Sequence, residues 1–225
     1  GAIVEPYQGA AGFIFPPKGW LKRLEDWLRS KGLLYTLDEV QSSYGRTGKM
    51  WAMEHEGLTP DLVALGKGIG SGVAVSAVAG TSEVFSCLKM GELSSTLGGN
   101  PVASAGVIAV LDIMEKEKLA QRAARMGAYL KTQLQAVARR CRYLGDVRGM
   151  GLVMGLEFVK DKRTRAPAPE LIRPVIDGCA NGGLLVGAVG MYGNVIRVAP
   201  PLVITREEMD ESVAILDRVL RSLKL

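Results

Sequence analysis

Histidine is almost absent: His55 is the only one in 225 residues. One imidazole cannot build a three-histidine zinc centre or supply several bases, so His-rich metal sites and Ser-His-Asp hydrolysis are both disfavoured, and no metal is expected. Cysteine is scarce as well. Cys87, Cys141 and Cys179 are odd in number, far apart and in no CxxC pair. That argues against a disulfide framework or zinc ribbon and for a reducing cytoplasm. No apolar run approaches the ~18 residues of a membrane span, and no basic segment followed by an apolar stretch reads as a signal peptide. No membrane partner is expected. Repeats and low-complexity segments are missing too, and 48% hydrophobic against 23% charged residues excludes a disordered or collagen-like chain.

Glycine is what the chain has in excess, 28 residues of 225, against a usual share of ~7%. Such a content suggests tight turns and close backbone approaches to a ligand. The 28 basic and 23 acidic residues leave a net +5, spread along the chain with small clusters at Arg139-Arg140 and from Lys160 to Arg165. This excess reads first as a solvated surface, next as a site for an anionic ligand, and least as a nucleic-acid contact; no nucleic-acid partner is expected.

The pattern along the chain alternates strand and helix. Ala2-Ile3-Val4 reads as a buried strand with no polar lead-in, so the chain is expected to be the C-terminal part of something longer. Residues 17–31 are amphipathic, with Trp20, Leu24, Trp27 and Leu28 on one face and Gly32 as a stop. Strands are expected at 33–37, 62–65 and 73–79, with a short helix at 51–56. Without hairpin turns, this order predicts a mostly parallel α/β sheet. After Asn100-Pro101 come a long small-residue helix, 102–115, and a second one with Leu119, Ala123, Met126, Leu130, Leu134 and Val137 at helical spacing. Strands at 147–158 and 195–198 and helices at 169–181 and 206–223 follow. The expected organisation is α/β: residues 1–100 part of a large domain, 101–115 a connecting helix, and 116–225 a small α+β C-terminal domain. The methionines and tryptophans fall at helical spacing and read as core.

Four segments can carry chemistry. Asp38-Glu39-Val40-Gln41 places carboxylates and an amide at the C-terminal end of an expected parallel strand, where open α/β sheets bind ligands, although strand ends often carry polar residues before a turn. Lys67 enters the loop Gly66-Lys67-Gly68-Ile69-Gly70-Ser71-Gly72, which matches neither a phosphate-binding P-loop nor a dinucleotide fingerprint. A lysine on a strand end among small residues can be desolvated into a Schiff-base nucleophile, or can be a solvated loop residue. Ser94-Ser95-Thr96 with Gly98-Gly99-Asn100-Pro101 offers hydroxyls and amides before a helix, suited to phosphate or to plain capping. Arg197, inside the apolar run 195–198, calls for an anionic partner if buried, either a substrate carboxylate or a structural acid.

Taken in order, Glu5-Pro6-Tyr7-Gln8-Gly9, Asp38-Glu39-Val40-Gln41, Gly45-Arg46-Thr47-Gly48, Glu54-His55, Pro60-Asp61, Lys67, Ser95-Thr96 with Gly98-Gly99-Asn100-Pro101, Gly145-Asp146-Val147-Arg148-Gly149 and Arg197 with Pro200-Pro201-Leu202 resemble the class-III pyridoxal-phosphate aminotransferases. The resemblance covers the whole chain, and an ordered set is far more specific than any one element. It implies fold type I: the C-terminal part of the large, mostly parallel domain that binds pyridoxal 5'-phosphate (PLP), followed by the small domain. It implies an amino donor and a 2-oxo acid acceptor exchanged in a ping-pong cycle, and a homodimer. Lys67 is implied to hold the cofactor covalently and then to move a proton, Asp38 to pair with the pyridine nitrogen, Val40 to pack on a ring face, and Gln41 to bond near the phenolic oxygen. Thr96, with Ser95, is implied to reach the phosphate in the neighbouring subunit. Arg197 is implied to clamp a substrate carboxylate and Glu5 to line the pocket.

One departure stands out. Members acting on ω-amines often carry glutamate where this chain has Ala10, and without that acid Arg197 stays available for a carboxylate. A decarboxylating transaminase or an amino-acid racemase on the same scaffold fits the same residues. A non-catalytic fragment or binding module is the alternative from another class.

Overall fold

Three short apolar runs, Ala2–Val4 (β1), Tyr35–Asp38 (β2) and Leu62–Leu65 (β3), pair in parallel, with Ala2 opposite Tyr35 and Asp38 opposite Ala64. The computed structural model describes residues 1–223. A fourth strand, Ala77–Gly80 (β4), runs antiparallel to β3, with Leu65 opposite Ala77, so the sheet is mixed rather than wholly parallel. The cause is the β3–β4 connection, residues 66–76, which holds a single 3-10 turn at Lys67–Ile69 in place of a crossover helix and returns the chain beside β3 in the opposite sense. The strand expected from residue 73 starts only at Ala77. β1 forms an edge of the described sheet, and Ile3 is 67% exposed, so the expectation of a buried strand does not hold in this chain.

The parallel β1–β2 connection is made by helix α1, Trp20–Ser30. It begins after Pro16-Pro17 and at a left-handed Gly19, φ 77°, which holds its start three residues inside the amphipathic stretch. Its buried face is Leu21, Glu25 and Leu28. Trp20 and Trp27 stay exposed, at 40% and 53%. The helix is turned by the fully buried Glu25 carboxylate, which accepts from Lys22 Nζ (2.7 Å), Thr59 N (2.8 Å) and Arg29 Nη2 (3.1 Å). Leu21 and Leu28 then pack on Tyr35, Leu37 and Leu58. Met90 and Met191 are likewise exposed, against the expectation of core.

Beyond β4 lie a short helix, α2 (Ser82–Ser86), which periodicity did not predict, and two long ones, α3 (Pro101–Lys116) and α4 (Leu119–Arg140). The expected strand at 147–158 is two strands, β5 (Leu144–Met150) and β6 (Val153–Phe158), joined by a hairpin at Gly151, φ 56°. After α5 (Ile172–Asn181) come β7 (Gly187–Val189), β8 (Val195–Val198) and α6 (Arg206–Ser222). The second sheet has the order β5-β6-β8-β7, antiparallel throughout. Leu130, Leu134, Val137, Leu156, Ile196, Met209, Leu216 and Leu220 form its helix-covered core. No helix among the described residues is long and apolar enough to cross a membrane.

The chain divides into two compact units, Gly1–Pro6 with Pro16–Ala120, and Tyr7–Phe15 with the segment from Gln121 onward. This boundary differs from the division at 100 and 116. The helix at 101–115 falls in the first unit, and the nine residues 7–15 fall in the second. The aromatic side chains explain the second difference: Tyr7 and Phe13 are buried with Val153, Tyr7 packs on Phe15 at 4.9 Å between ring centres, and Arg148 Nε donates to Gly12 O at 2.8 Å.

Candidate active site

The carboxyl ends of two adjacent parallel strands carry the candidate residues Asp38 and Lys67 of the first unit. β2 ends on Asp38, which stands opposite Ala64 of β3, and the Glu39 amide donates to Ala64 O at 3.0 Å. Asp38 is half-buried, and its Oδ1 accepts from the Val40 amide at 3.0 Å, a two-residue turn that fixes the carboxylate at the sheet edge. The next residue, Glu39, is fully buried. Its carboxylate accepts from Ser42 Oγ (2.5 Å), Met53 N (2.7 Å) and Ala52 N (3.1 Å). Burial pushes its pKa up, against hydrogen bonds from Ser42, Met53 and Ala52 that pull it down. Glu39 thus pins the 39–53 segment beneath Asp38, a role that sequence reading did not give it. Its place next to Asp38 was the signal the sequence offered.

β3 runs into Gly66-Lys67-Gly68. A Cβ on Gly66 would stand 3.1 Å from Val40 Cγ1, and one on Gly68 3.1 Å from Tyr44 Cβ. The two glycines therefore let the lysine loop lie directly against the segment that leaves Asp38. Lys67 itself adopts a left-handed backbone, φ 45°, as does Ser71, φ 42°. For a non-glycine residue this costs ~1–3 kcal/mol and persists where packing over-determines it, often at functional sites. The Lys67 side chain is exposed in this chain, so the expected desolvation does not come from the surroundings described here. Gln41 is half-buried.

Ser95 and Thr96 lie exposed in the turn before α3. The helix is capped by Asn100, whose Oδ1 accepts from Ala103 N at 2.9 Å, so capping does not consume the two hydroxyls. Ser95, Ser76, Ile69, Gly98 and Asn100 line a cleft of about 830 Å³. An aspartate, a loop lysine and free hydroxyls, with glycines that admit a close approach, form a donor set that fits PLP: acid for a ring nitrogen, amine for an aldehyde, hydroxyls for a phosphate.

In the second unit Arg197 lies on β8, directly opposite Gly155 of β6 and Gly187 of β7. Its side chain is exposed, which removes the argument from a buried unpaired charge. What gives it room is glycine on both sides. A Cβ on Gly155 would meet Gly12 O at 3.0 Å and Phe13 Cδ2 at 3.3 Å, whereas one on Gly187 would meet nothing within 4 Å. The Tyr7–Phe15 segment covers one flank and leaves the other open. Ala10 belongs to that segment, and its carbonyl accepts from Gly190 N at 3.0 Å, just beyond β7. Glu5 is half-buried and follows β1 in the first unit. His55 bonds Thr47 Oγ1 at 3.1 Å and takes no part in these clusters.

The family model of the class-III aminotransferases matches residues 1–220. The chain belongs to this family. It is 39% identical over 218 residues to a 4-aminobutyrate aminotransferase of Mycobacterium leprae, covering 97% of this chain and 49% of that one. It is equally 39% identical to a leucine/methionine racemase of Thermococcus litoralis, again over 97% of this chain and 49% of the relative. Among solved structures, an amine transaminase from an uncultivated Pseudomonas species in its PLP-bound form superposes with a TM-score of 0.91 at 36% identity, covering 97% of this chain and 51% of the other. The chain spans about half the length of the curated relatives it matches. Class-III aminotransferases are PLP-dependent transferases built on this mixed α/β and antiparallel architecture.

Proposed function

We propose that the chain carries the lysine, the acid and the substrate arginine of a PLP-dependent aminotransferase, moving an amino group between an amino acid or amine and a 2-oxo acid. The observation that carries this reading is the meeting of Asp38 and the Lys67 loop at neighbouring parallel strand ends, with Gly66 packed on Val40. When bound, PLP supplies the electron sink for carbanion chemistry at the substrate's Cα. Lys67 Nζ would hold the group and, once free, would take the proton from the substrate's Cα and deliver it to C4′ of the cofactor, the shift that amino-group transfer needs. Asp38 keeps a proton on the ring nitrogen by its negative charge. Val40 packs on a ring face and Gln41 bonds near the phenolic oxygen. Ser95 and Thr96 donate to phosphate, Thr96 toward the neighbouring subunit of a homodimer. Arg197 holds the substrate carboxylate with its planar fork, and Glu5 lines the pocket. Three unbridged cysteines, two of them buried, accord with a reducing cytoplasm.

A racemase reading shares every one of these roles except that the proton would go back to Cα, on either face, instead of to C4′, and the racemase relative supports it. Borohydride reduction of the full-length protein followed by peptide mapping tests the common core. The adduct is expected on Lys67 and is lost in Lys67→Ala; a reduced adduct on Lys18 or Lys49 would overturn the assignment. A single enantiomer of the donor then separates the readings. Appearance of the opposite enantiomer without a 2-oxo acid acceptor would replace transamination by racemisation.

A further inference from the structure

The second unit carries a concave basic surface that none of the roles above uses. A cleft of about 560 Å³ at the C-terminal end of α4 is walled by Arg139, Arg140, Arg142, Lys160 and Lys162, with Asp161 the one acid on the lining. Small-molecule sites occupy ~300–1,000 Å³, so the cleft has the size of a ligand site. Arg163 and Arg165 follow in the same loop. Helix polarity accounts for part of this: cations are favoured at the end of α4, which covers Arg139 and Arg140. It does not account for the cations of the 160–165 loop.

Local pairing also falls short of neutralising the cleft. Arg140 meets Asp217 at 3.1 Å and Lys160 meets Glu170 at 3.3 Å. Asp161 is turned into its own loop, where Oδ1 accepts from Thr164 N (2.8 Å) and Arg163 N (3.1 Å). Among the described residues, Arg139 has no carboxylate partner, and Arg142 stacks its guanidinium 4.4 Å from the Tyr143 ring centre instead. The walls are held in place. Lys162 Nζ donates to Ala138 O at 2.8 Å, tying the loop to the end of α4, and the loop closes through Lys160 N to Ala166 O (2.8 Å) and Arg165 N to Asp161 O (2.9 Å).

We infer that this cleft binds a small molecule carrying two or more linked phosphates. Arginine forks match phosphate oxygens in pairs, and several adjacent cations favour a ligand whose charges are equally close together. A single phosphate engages one fork; a linked pair or triplet would engage several of the cations lining the cleft at once. The limited size of the cleft, about 560 Å³, favours a compact anion over an extended polymer or a membrane.

Calorimetric titration of the full-length holoenzyme with inorganic tripolyphosphate, a nucleoside triphosphate and orthophosphate tests this. Tripolyphosphate and the nucleotide are expected to bind once per chain, with affinity falling as salt rises. Orthophosphate should bind on the order of tenfold or more weaker. Similar affinity for the first two assigns the site to the oligophosphate itself, and markedly tighter nucleotide binding assigns it to nucleotides. Arg139→Ser/Arg142→Ser, both exposed positions, should weaken tripolyphosphate by about tenfold or more, whereas Arg173→Ser, an exposed arginine on α5, should not. Unchanged affinity in the double variant, absence of tripolyphosphate binding, or response only to duplex nucleic acid or anionic vesicles would overturn the inference.

Discussion

Replacing Gly187 by valine tests how Arg197 works, because it separates stability from substrate recognition. Gly187 sits directly opposite Arg197 on β7, with nothing within 4 Å of where its Cβ would stand. Directly paired residues of antiparallel strands share a face, with Cβ atoms about 4.5–5.5 Å apart. The two new methyl groups would therefore occupy the open flank of the guanidinium. Valine suits a strand better than glycine, so the fold should be unharmed or gain up to ~1 kcal/mol. A carboxylate held by two parallel hydrogen bonds would lose one of them, at about 1.5–3 kcal/mol for a charge-assisted bond. That corresponds to roughly 10–100-fold in kcat/KM for α-amino acids, since ~1.4 kcal/mol is tenfold. A carboxylate-free amine should lose little. Gly155→Val is the contrasting variant. Its Cβ would stand 3.0 Å from Gly12 O, so overpacking should cost ~1–3 kcal/mol and lower the melting temperature. The assay is kcat/KM for alanine and for a carboxylate-free amine, with thermal melts of both variants of the full-length protein. Equal losses for the two substrates in Gly187→Val, or none for either with an unchanged melt, would refute the role assigned to Arg197.

The buried acids give two further expectations. Glu25 is affected most by burial, which would raise its pKa, but hydrogen bonds from Lys22 and Thr59 outweigh it and leave the pKa lowered. Its contribution is therefore present above the unfolded carboxyl value and lost as pH falls through the lower folded value. Glu25→Gln should cost about 1–3 kcal/mol at pH 7 and make the urea midpoint less sensitive to acid below the unfolded carboxyl pKa; a midpoint shift of the same size at both pH values would contradict this. Glu39→Ala strands the buried amide of Ala52 and the half-buried amide of Met53, so it should cost about 2–4 kcal/mol. It should also slow turnover through the loosened Asp38 loop, which stopped-flow rates at saturating donor would show; a destabilised variant with normal rates would leave Glu39 purely structural.

What could be read from the sequence was local. The β3 boundaries at Leu62–Leu65 follow from an uninterrupted apolar run between turn residues and the β8 boundaries at Val195–Val198 from an apolar run broken by Arg197, and the stripe Ala123, Leu130, Leu134 and Val137 of α4 follows from helical spacing. Asp38 and Lys67 were visible as candidates because each ends an apolar strand. Their proximity was not, since it depends on the pairing of Asp38 with Ala64, 26 positions apart. The orientation of α1 was hidden for the same reason: a buried Glu25 becomes intelligible only when Thr59 is seen to bond it. Nothing in the sequence alone singles out Gly155 or Gly187. Their meaning lies in register, which places both beside Arg197 although one precedes it by 42 residues and the other by ten.

That distribution of signal bears on why one family holds both transaminases and racemases. The groups proposed for covalent attachment and ring protonation, Lys67 and Asp38, stand in the first unit, at and just beyond the carboxyl ends of β2 and β3. The groups proposed to choose the substrate, Ala10, Gly187 and Arg197, stand in the second unit, where the Ala10 carbonyl is tied to Gly190 and Gly187 flanks the arginine. On the proposed roles the first set must be kept for any carbanion chemistry at Cα, because each member would act on the reacting atoms or the cofactor ring. The second set can change one residue at a time without disturbing a core: Ala10 and Arg197 are exposed, and a Cβ on Gly187 meets open space. Identity over the whole chain therefore weighs the shared chemistry heavily and the choice of substrate hardly at all. Substitutions at positions 10 and 187 are where a change of donor should be sought first, with the lysine and the aspartate held constant.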